Sequence, residues 1–582
     1  MRFFTPKLFF LGLCGLLFSS VLGATPAQGQ TERAARIAFA AYRHGQWDIY
    51  SLAPDGSDLH QLTDDPFEDT DPAYSPDGEK LAFASRRNQN WDIYVLDLLS
   101  GQETRLTDSP HYDGAPVWSP DGQRLAYESY QNGDLDLWLI DATGSTPATD
   151  LTADSDAGDF GPAWRPDGQA LAFSSWRDGQ KDLYLLDMTG NGSLTRLTNT
   201  PTAEDQPTWS SDGRTLAFVV DNLGDREVFS LDTTGSQISP LTWLGRTDGP
   251  TWSPDGKTLA AIFQRWDGES IALQTVSAAH QLPRLLTPVS TIQGRLSWSD
   301  QAVDFGRSLS SLADNGESPL YTENVTLSEE PGHEPYSMVR LNDLDAGTPW
   351  LADTVDDSFQ AWRFRLRDEV GYDFLGHLSD AARDVASYSE TSQYASWHKS
   401  GRAVDTLFDY YLKGQLAHEI VREDYSGETY WRVLLHCVDQ SGRCGRPSTA
   451  NPWNYSSRAR TEIAPEQGGI EKSNLSGYYV DMTALAREYG WQRISSHDDK
   501  DFSWTWHFLA FEYWHYQKRL DGDQHLMNWY QAMRQIYPDT TLTRFFTWQK
   551  MRAIGDEPHL IALKGVPLPL DVKPWWKLVE QK

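Results

Sequence analysis

The chain has 582 residues and a formal net charge of −32, from 82 acidic and 50 basic side chains. A surface this acidic repels phosphate backbones, which argues against a nucleic-acid-binding function, and it disfavours a polybasic attachment to membrane surfaces. A chain of this length exceeds a single hydrophobic core, so we expect two or more domains.

Residues 1–27 have the pattern of a secretory signal peptide. Arg2 and Lys7 charge the start, an apolar run spans Leu8 to Leu22, and small residues follow at Gly23, Ala24 and Ala27. The alternative, a transmembrane anchor, needs about 20 apolar residues, and this run has about 15. Cys14 lies inside the apolar run, which disfavours a lipid anchor on it. We predict export to the periplasm or cell envelope, a mature chain without a membrane span, and a change in net charge from −32 to −34 when Arg2 and Lys7 are removed.

A unit of about 45 residues repeats between Arg36 and Gly306. Each unit has an aromatic residue, a Pro-Asp-Gly or Ser-Asp-Gly turn, a Leu-Ala-Phe-like strand, an alternating strand and a closing Leu-Thr pair. The turn aspartates are Asp77, Asp121, Asp167, Asp212 and Asp255, and the closing leucines are Leu62, Leu106, Leu151, Leu197, Leu241 and Leu286. Four short strands per unit of this length are typical of a propeller blade, so the six closures predict six blades.

The ends of the repeat predict how the ring closes. The first unit starts at its second strand, Ile37–Phe39, and the last aromatic segment, Arg295–Ser299, has no blade of its own to follow. We predict that Arg295–Ser299 supplies the innermost strand of the first blade, which hides sheet edges that would otherwise aggregate. The repeated turns are structural, because proline presets the first turn position, aspartate caps the backbone and glycine accepts a positive φ.

The repeat unit, with its sequence PAYSPDGEKLAFAS, WDIYVLD and RLT, resembles the TolB-type propeller of bacterial envelopes. The resemblance covers 36–306 and implies an all-β six-bladed propeller over 33–306. Because propellers mostly bind other molecules at their funnel or rim, it also implies a targeting or interaction module with a possible envelope protein partner.

The pattern of short repeated strands ends after the propeller, and longer helical patterns follow it. We expect a linker over 307–341, an α+β domain over 342–560 and a C-terminal tail over 561–582. Helices are predicted from Asp356, over Phe374–Val385, over Tyr479–Tyr489 and over Asp523–Ile536, and strands around Tyr430–Leu435 and Trp491–Ile494. Cys437 and Cys444, which flank a turn-rich hexapeptide, are the cysteines left after signal removal. In an oxidising compartment they are candidates for a disulfide, with two free thiols or a metal pair as the alternatives.

Two segments carry the chemistry of a metal-activated hydrolase. The first is Ser396-x-His398-x-x-Gly401-x-Ala403-x-Asp405, and the second is Glu512-x-Trp514-His515. Two imidazoles and a carboxylate suit one zinc ion, and three protein ligands leave a position for a water whose pKa falls to about 7. Glu512 is then placed to move that water's proton. Gly401 permits a tight turn, and Ser396 is expected to orient the ligand loop. Taken singly, His398 reads as a surface histidine and Asp405 as a capping acid.

These residues resemble the zinc D-alanyl-D-alanine carboxypeptidases and related peptidoglycan peptidases of the VanY type, over about 355–517. The resemblance implies a Zn²⁺ cofactor, His398, Asp405 and His515 as metal ligands, and Glu512 as the catalytic base. His507 is a second candidate for the last ligand, but Trp504 stands where its base would be.

The chain departs from the family in two respects. The connection from Asp405 to His515 is long, and its insertion, which includes the Cys437–Cys444 loop and Arg446–Asn474, could cover the cleft or narrow the substrate range. The arginine motif that usually precedes the first ligand is also missing. The candidates for binding a substrate carboxylate are Arg383, Lys399 and Arg402.

The leading hypothesis is an exported zinc peptidase that hydrolyses peptidoglycan peptides as a carboxypeptidase or endopeptidase, with the propeller as its targeting module. One alternative is a non-catalytic cell-envelope binding protein with a silent wall-binding domain. A further alternative is a zinc peptidase that acts on other peptides.

Overall fold

The computed structural model describes residues 33–569 except 44–45, 88–89, 191, 223–224, 235–236, 243–246, 266–267, 277–282, 288–291, 310–319, 327–336, 388–395, 426–427, 455, 457–468, 473–475, 497–510, 520–526, 555, 557 and 568. The expected signal peptide, His507 and most of the expected tail lie outside the described residues. Among the helices that are described, none is long and apolar enough to cross a membrane.

Six antiparallel blade sheets follow one another around a ring. Blades two to six have four strands each. The strands are Asp69–Tyr74, Lys80–Ser85, Asp92–Asp97 and Gln102–Arg105 in the second blade, and Asp113–Trp118, Arg124–Ser129, Asp136–Asp141 and Thr149–Asp150 in the third. They are Asp159–Trp164, Ala170–Ser175, Asp182–Asp187 and Leu194–Arg196 in the fourth, and Ala203–Trp209, Thr215–Asn222, Asp225–Asp232 and Gln237–Pro240 in the fifth. The sixth blade has Thr247–Trp252, Thr258–Arg265, Gly268–Thr275 and Arg284–Leu285. The predicted six-bladed propeller is therefore confirmed.

The first blade joins the two ends of the propeller. Its strands lie in the order Ile292–Val303, Arg33–Arg43, Gln46–Leu52, Leu59–Gln61 and Arg307–Leu309. Ile37 pairs with Trp298, so the segment 295–299 supplies the innermost strand and the predicted ring closure is confirmed. The fifth strand, Arg307–Leu309, pairs with the outer edge, so the first residues of the expected linker belong to this sheet.

The repeated residues hold the blades together in the same way each time. In the second blade, Asp77 accepts hydrogen bonds from the Ser75 hydroxyl and from Glu79 N, at 2.6 and 3.1 Å. The threonine of each Leu-Thr pair accepts a backbone N–H from the third strand, as Thr63 does from Ile49 at 2.9 Å. Equivalent bonds recur at Thr107, Thr152, Thr198, Thr242 and Thr287. The closing pair thus satisfies a buried donor of the sheet, which is why it recurs.

The innermost strands share a backbone feature that the sequence pattern did not predict. Each has one residue with a positive φ at its bulge: Asp71, Ala115, Gly161, Gln206, Gly249 and Gly294. Five of the six precede a proline, and in the first blade Arg295 stands in the proline position. The Arg295 guanidinium reaches across the ring to donate to Pro162 O at 3.0 Å. Arg295 therefore lies across the central channel.

The described residues of the C-terminal domain form two four-stranded sheets with helices around them. One sheet has the order Leu378–Asp380, Ala403–Thr406, His515–Gln517 and Gln492–Arg493, and the other the order His418–Tyr425, Glu428–His436, Tyr478–Asp481 and Arg446–Pro447. Two-stranded pairs are Met338–Arg340 with Trp350–Ala352, Tyr411–Leu412 with Gln415–Leu416, and Trp453–Asn454 with Ile470–Glu471. The helices are α1 Asp356–Val370, α2 Met482–Glu488, α3 Trp529–Arg534, α4 Asp539–Phe545, α5 Trp548–Ala553 and α6 Pro558–Leu563.

The helix predicted from Asp356 and the strands predicted around Tyr430–Leu435 and Trp491–Ile494 are confirmed. The helix predicted over Phe374–Val385 is wrong: a 3₁₀ turn at Phe374–Gly376 leads into a strand at Leu378–Asp380. Pairing with Ala403–Thr406 overrides the helix-like spacing of apolar residues there.

Two other predicted helices begin later than expected. Tyr478–Asp481 is a strand, and Asp481 then caps α2 by accepting from Ala484 N at 2.9 Å. In the described part of Asp523–Ile536, α3 begins after Asn528, which forms a capping box with Gln531.

The C-terminal domain is docked on the propeller face that carries the turns between second and third strands. Arg86 from the propeller lies 2.8 Å from Glu369 of α1, and Arg365 of α1 lies 2.7 Å from Glu68. Arg446 donates to Thr70 at 2.6 Å and stacks on the Trp91 ring at 3.9 Å. One apolar core also includes residues of both domains, so they pack as a continuous body.

Candidate metal site

The first sheet of the C-terminal domain brings two predicted ligands together. Asp405 lies on the strand Ala403–Thr406, and His515 on the strand His515–Gln517, directly opposite it in the register. Directly paired residues on neighbouring strands point to the same face. His398 arrives from a 3₁₀ turn, Trp397–Ser400, that precedes the Asp405 strand. His398 and His515 are 117 positions apart in the sequence, yet they meet Asp405 at one buried point.

Two of the three ligand-atom distances within this cluster match those of a tetrahedral zinc site, and the third is shorter. His515 Nδ1 lies 2.7 Å from Asp405 Oδ1, His398 Nε2 lies 3.2 Å from the same oxygen, and the two nitrogens are 3.3 Å apart. Zinc bonds of about 2.0–2.1 Å in a tetrahedron place neighbouring ligand atoms about 3.3–3.4 Å apart. Small outward shifts of Asp405 and His515 would complete the geometry, so the residues present fit the group.

The orientation of His398 is fixed by its neighbours. Its Nδ1 donates to the carbonyl of Ala381, which leaves the lone pair of a neutral ring on Nε2, facing the other two ligands. Ser396 caps the turn, with its hydroxyl oxygen accepting from His398 N at 3.3 Å. Trp529 of α3 donates in turn to Ser396 O at 2.9 Å. Ser396 thus lies beside the proposed ligand His398, as predicted from the sequence, and is not itself one of the proposed ligands.

Gly401 ends the ligand turn in a conformation that favours glycine. Its φ is 65°, and a Cβ built there would lie 2.6 Å from Met338 Sδ and 2.7 Å from Ala352 N. Ala352 N also donates to Gly401 O at 3.0 Å, so the glycine is fixed against the strand Trp350–Ala352. The close approach of these two backbones sets the direction in which the chain leaves His398 for Asp405.

The electrostatics of the cluster favour charge on Asp405. Burial alone would raise the pKa of this carboxyl, but the charges that His398 and His515 carry when protonated, and their hydrogen bonds, outweigh burial and hold the pKa well below its usual range. Burial lowers the pKa of His515, while Asp405 and the charge of Glu512 raise it, and the net direction is upward. The site therefore attracts a cation, whether a proton or a metal ion.

Glu512 begins the turn that leads to His515, and its charge acts on the His515 imidazole. Its backbone oxygen accepts from His515 N at 3.2 Å, and its φ of 55° places it in the left-handed region. That conformation costs a non-glycine residue about 1–2 kcal/mol and is concentrated at functional sites. The hydrogen bond of this turn keeps the backbone of the predicted base next to the backbone of the predicted ligand.

The three candidate cations lie in different surroundings. Arg383 forms an ion pair with Asp380 and places Nη2 3.4 Å from Asp405 Oδ2, with 25% of its side chain exposed. Lys399 is buried, donates to Val385 O and Ser387 O, and its pKa falls to about 8 because burial disfavours the charged amine.

Arg402 is 1% exposed and donates to Thr354 at 2.8 Å and to Gln535 at 3.0 Å. The structure therefore brings Arg383 to the cluster and gives Lys399 and Arg402 contacts with the surrounding framework.

The structure joins Cys437 and Cys444 in a disulfide, and the loop between them faces the propeller. Arg443 O accepts from Arg86 at 3.0 Å, and a Cβ at Gly442 would lie 3.2 Å from Pro110 O. Arg446, in the same insertion, also contacts the propeller. The described beginning of the insertion is therefore part of the domain interface.

Two other groups of acids and histidines among the described residues offer similar spacing for a metal ion. The Asp58–His60–Asp304 group already holds a guanidinium, since Arg36 lies 2.6 Å from Asp58 and 2.9 Å from Asp304. In the other, Glu323–Asp356–Asp357, Lys518 lies 3.0 Å from Glu323. An arginine or lysine contacts carboxylates in both of these groups, and His398–Asp405–His515 is the one group of the three in which two imidazoles converge on a carboxylate.

Sequence reasoning missed the supports of the cluster. The Ala381 carbonyl and the Trp529 indole hold the first ligand turn, yet a carbonyl gives no residue-type signal and Trp529 is 133 residues from its partner Ser396.

Comparison with known proteins identifies the propeller. A family model described as the TolB beta propeller domain (PD40) matches residues 114–303. TolB from Acinetobacter baumannii is similar at 24% identity and a TM-score of 0.41, over 45% of this chain and 66% of that one. A putative TolB from Agrobacterium tumefaciens is similar at 21% identity and a TM-score of 0.38, over 45% and 91% of the two chains.

A puromycin-hydrolysing peptidase of Mycobacterium tuberculosis matches at 16% identity and a TM-score of 0.32, over 44% of this chain and 47% of that one. The search of curated proteins found no match. The family match ends at residue 303, before the metal cluster begins. Residues 114–303 form a TolB-type β-propeller domain.

Proposed function

We propose that the chain is an exported zinc-dependent peptidase that hydrolyses peptidoglycan peptides, and that its propeller is a targeting or interaction module. The observation that carries the proposal is the convergence of His398, Asp405 and His515 on one point, with ligand atoms 2.7–3.3 Å apart. A periplasmic or cell-envelope location is part of the same proposal and accords with the TolB-type propeller.

In this proposal, separate residues of the chain have separate roles in peptide hydrolysis. Bound zinc would lower the pKa of a water molecule and polarise the scissile carbonyl. Glu512, three residues before His515, is the group that would accept the proton of the attacking water and pass it to the leaving amine. Ala381 keeps His398 in the tautomer that presents Nε2 to the site. Arg383 is the cation placed to bind a substrate carboxylate beside Asp405.

The experiment that tests this function is incubation of the purified protein with muropeptides, with and without a chelator, followed by product identification by mass. Wild type should release D-alanine or open a cross-link, and the chelator should abolish it. His398→Ala and His515→Ala should lose both zinc and turnover, whereas Glu512→Gln should keep zinc and lose turnover. Zinc-loaded wild type without activity on any muropeptide would refute the peptidase function.

A second candidate function is a non-catalytic envelope binding protein, which the TolB-type family match favours. The C-terminal domain covers the face that carries Arg86 and Trp91, so a protein partner would bind the opposite face or the rim. Binding to isolated sacculi or envelope extracts without any turnover would favour this candidate.

A further inference from the structure

A chamber of about 420 Å³ lies between the propeller and the C-terminal domain. Its volume lies within the range of small-molecule sites, roughly 300–1,000 Å³. The propeller contributes the aromatic rings of Trp47 and Trp91, and the C-terminal domain contributes residues of its second sheet and of α2. The cluster of His398, Asp405 and His515 is not among its lining residues.

The chamber and the metal cluster lie on opposite faces of the first sheet. Tyr516 follows His515 in the same strand, so its side chain points to the other face. There the Tyr516 hydroxyl lies 2.9 Å from the Thr483 hydroxyl, and Arg493 pairs with Tyr516 in the register. Thr483 and Arg493 both line the chamber. A ligand in the chamber would therefore occupy a site separate from the metal cluster.

The lining of the chamber is rich in guanidinium groups, although the chain as a whole is strongly acidic. Seven arginines face six acidic residues: Arg86, Arg226, Arg365, Arg432, Arg446, Arg487 and Arg493 against Glu68, Asp248, Glu369, Glu423, Asp481 and Glu488. Among the described lining residues, the seven guanidinium groups exceed the six carboxyl groups by one, so the lining has a positive formal charge in a protein of formal net charge −32.

Arg432 lies near two acids of this lining without a short hydrogen bond to either of them. Its closest acids are Asp481 and Glu423, at 3.5 and 3.8 Å, which are ion-pair distances beyond the usual length of a hydrogen bond. About 28% of its side chain is exposed although the residue lies at the domain interface. Arg446 also lines the chamber, with its guanidinium carbon 3.9 Å from the centroid of the Trp91 ring.

We propose that this chamber binds a small molecule through an anionic oxygen group, a phosphate or a carboxylate, with Arg432 and Arg446 as its main ligands. Planar guanidinium groups recognise both kinds of anion by paired hydrogen bonds. The contribution of residues from both domains means that an occupant would also stabilise their docking.

Calorimetric titration of the chelator-treated, metal-free protein with inorganic phosphate and, separately, with malonate tests the proposal. The metal-free form removes any anion binding to zinc at the other site. At constant ionic strength, wild type should bind one anion per chain, and the tighter of the two probes identifies the source. Arg432→Gln should weaken binding at least tenfold, while the matched control Arg367→Gln, on the outer surface of α1, should leave it unchanged.

Absence of saturable binding, or equal binding by wild type and Arg432→Gln, would overturn the proposal. If Arg432→Gln does not fold, Arg432→Lys keeps the charge and loses the paired geometry, and it should still weaken binding several-fold. His398→Ala should bind the anion as wild type does. This last result separates the chamber from the metal cluster, so that the failure of one proposal does not decide the other.

Discussion

Replacement of Gly401 by alanine perturbs the candidate metal site through the backbone alone. The added Cβ meets two obstacles: the residue has a φ of 65°, and Ala352 N lies 2.7 Å from the new carbon. Ala352 N cannot move away freely, because it donates to Gly401 O at 3.0 Å. Met338 Sδ is also too close, at 2.6 Å, but its flexible side chain can rotate.

The magnitude follows from these two obstacles. A left-handed conformation costs an alanine about 1–2 kcal/mol, and the insertion of a methyl group into a packed region typically costs about 1–3 kcal/mol. We therefore expect Gly401→Ala to lower the free energy of unfolding by about 2–5 kcal/mol. The displaced turn carries His398, so zinc affinity should also fall by about 10–100-fold, as it does when a group that orients a ligand is lost.

Gly414 provides a matched control in the same domain. Its φ is 84°, and a Cβ there would meet nothing within 4 Å. Gly414→Ala therefore carries the cost of the conformation, about 1–2 kcal/mol, without the steric cost. Urea unfolding monitored by tryptophan fluorescence, together with zinc titration, measures both effects. Equal destabilisation of the two variants, or unchanged zinc affinity in Gly401→Ala, would refute the reasoning.

Three further predictions concern charged contacts. Arg446→Ala removes a hydrogen bond and a cation–π contact between the domains and should lower the free energy of unfolding by about 1–3 kcal/mol in urea, against less than about 0.5 for the exposed Arg367→Ala. Because the pKa of Asp405 is lower in the folded state than in the unfolded state, its ionisation stabilises the metal-free protein above about pH 4. This stabilisation decreases as the pH falls further. The stability advantage of wild type over Asp405→Asn should therefore shrink from pH 7 to pH 3, and a constant difference would contradict this assignment. Arg383→Gln should raise KM for a carboxylate-terminated muropeptide about tenfold or more and leave zinc content unchanged; an unchanged KM would remove Arg383 from substrate binding.

The propeller was predictable because its signals are local and repeated. The Asp77 turn forms hydrogen bonds within a few residues, and the Thr63 hydroxyl forms one across a single sheet. The sequence of each repeat therefore determines most of its own blade structure. Ring closure was predictable for a similar reason, since an unpaired first strand requires a partner. The position of Arg295 across the central channel was not predictable, because it depends on a contact with Pro162 on the far side of the ring.

The C-terminal domain was harder to predict because its elements are decided by distant partners. The segment after Phe374 has helix-like apolar spacing, yet its pairing with the Asp405 strand makes it extended. The residues proposed as ligands did converge, because a motif of fixed spacing places His398 and Asp405 on one turn and strand. The supports around them come from segments with no sequence link to the motif.

X-ray absorption at the zinc edge of the purified chain tests the central claim most directly. The account predicts one zinc per chain, with two imidazole nitrogens and only oxygen besides, at about 2.0–2.2 Å. His515→Ala should lose one imidazole from that shell or lose the metal altogether. A chain that binds no zinc under saturating conditions, or a zinc shell without imidazole, would contradict the metal site formed by His398, Asp405 and His515.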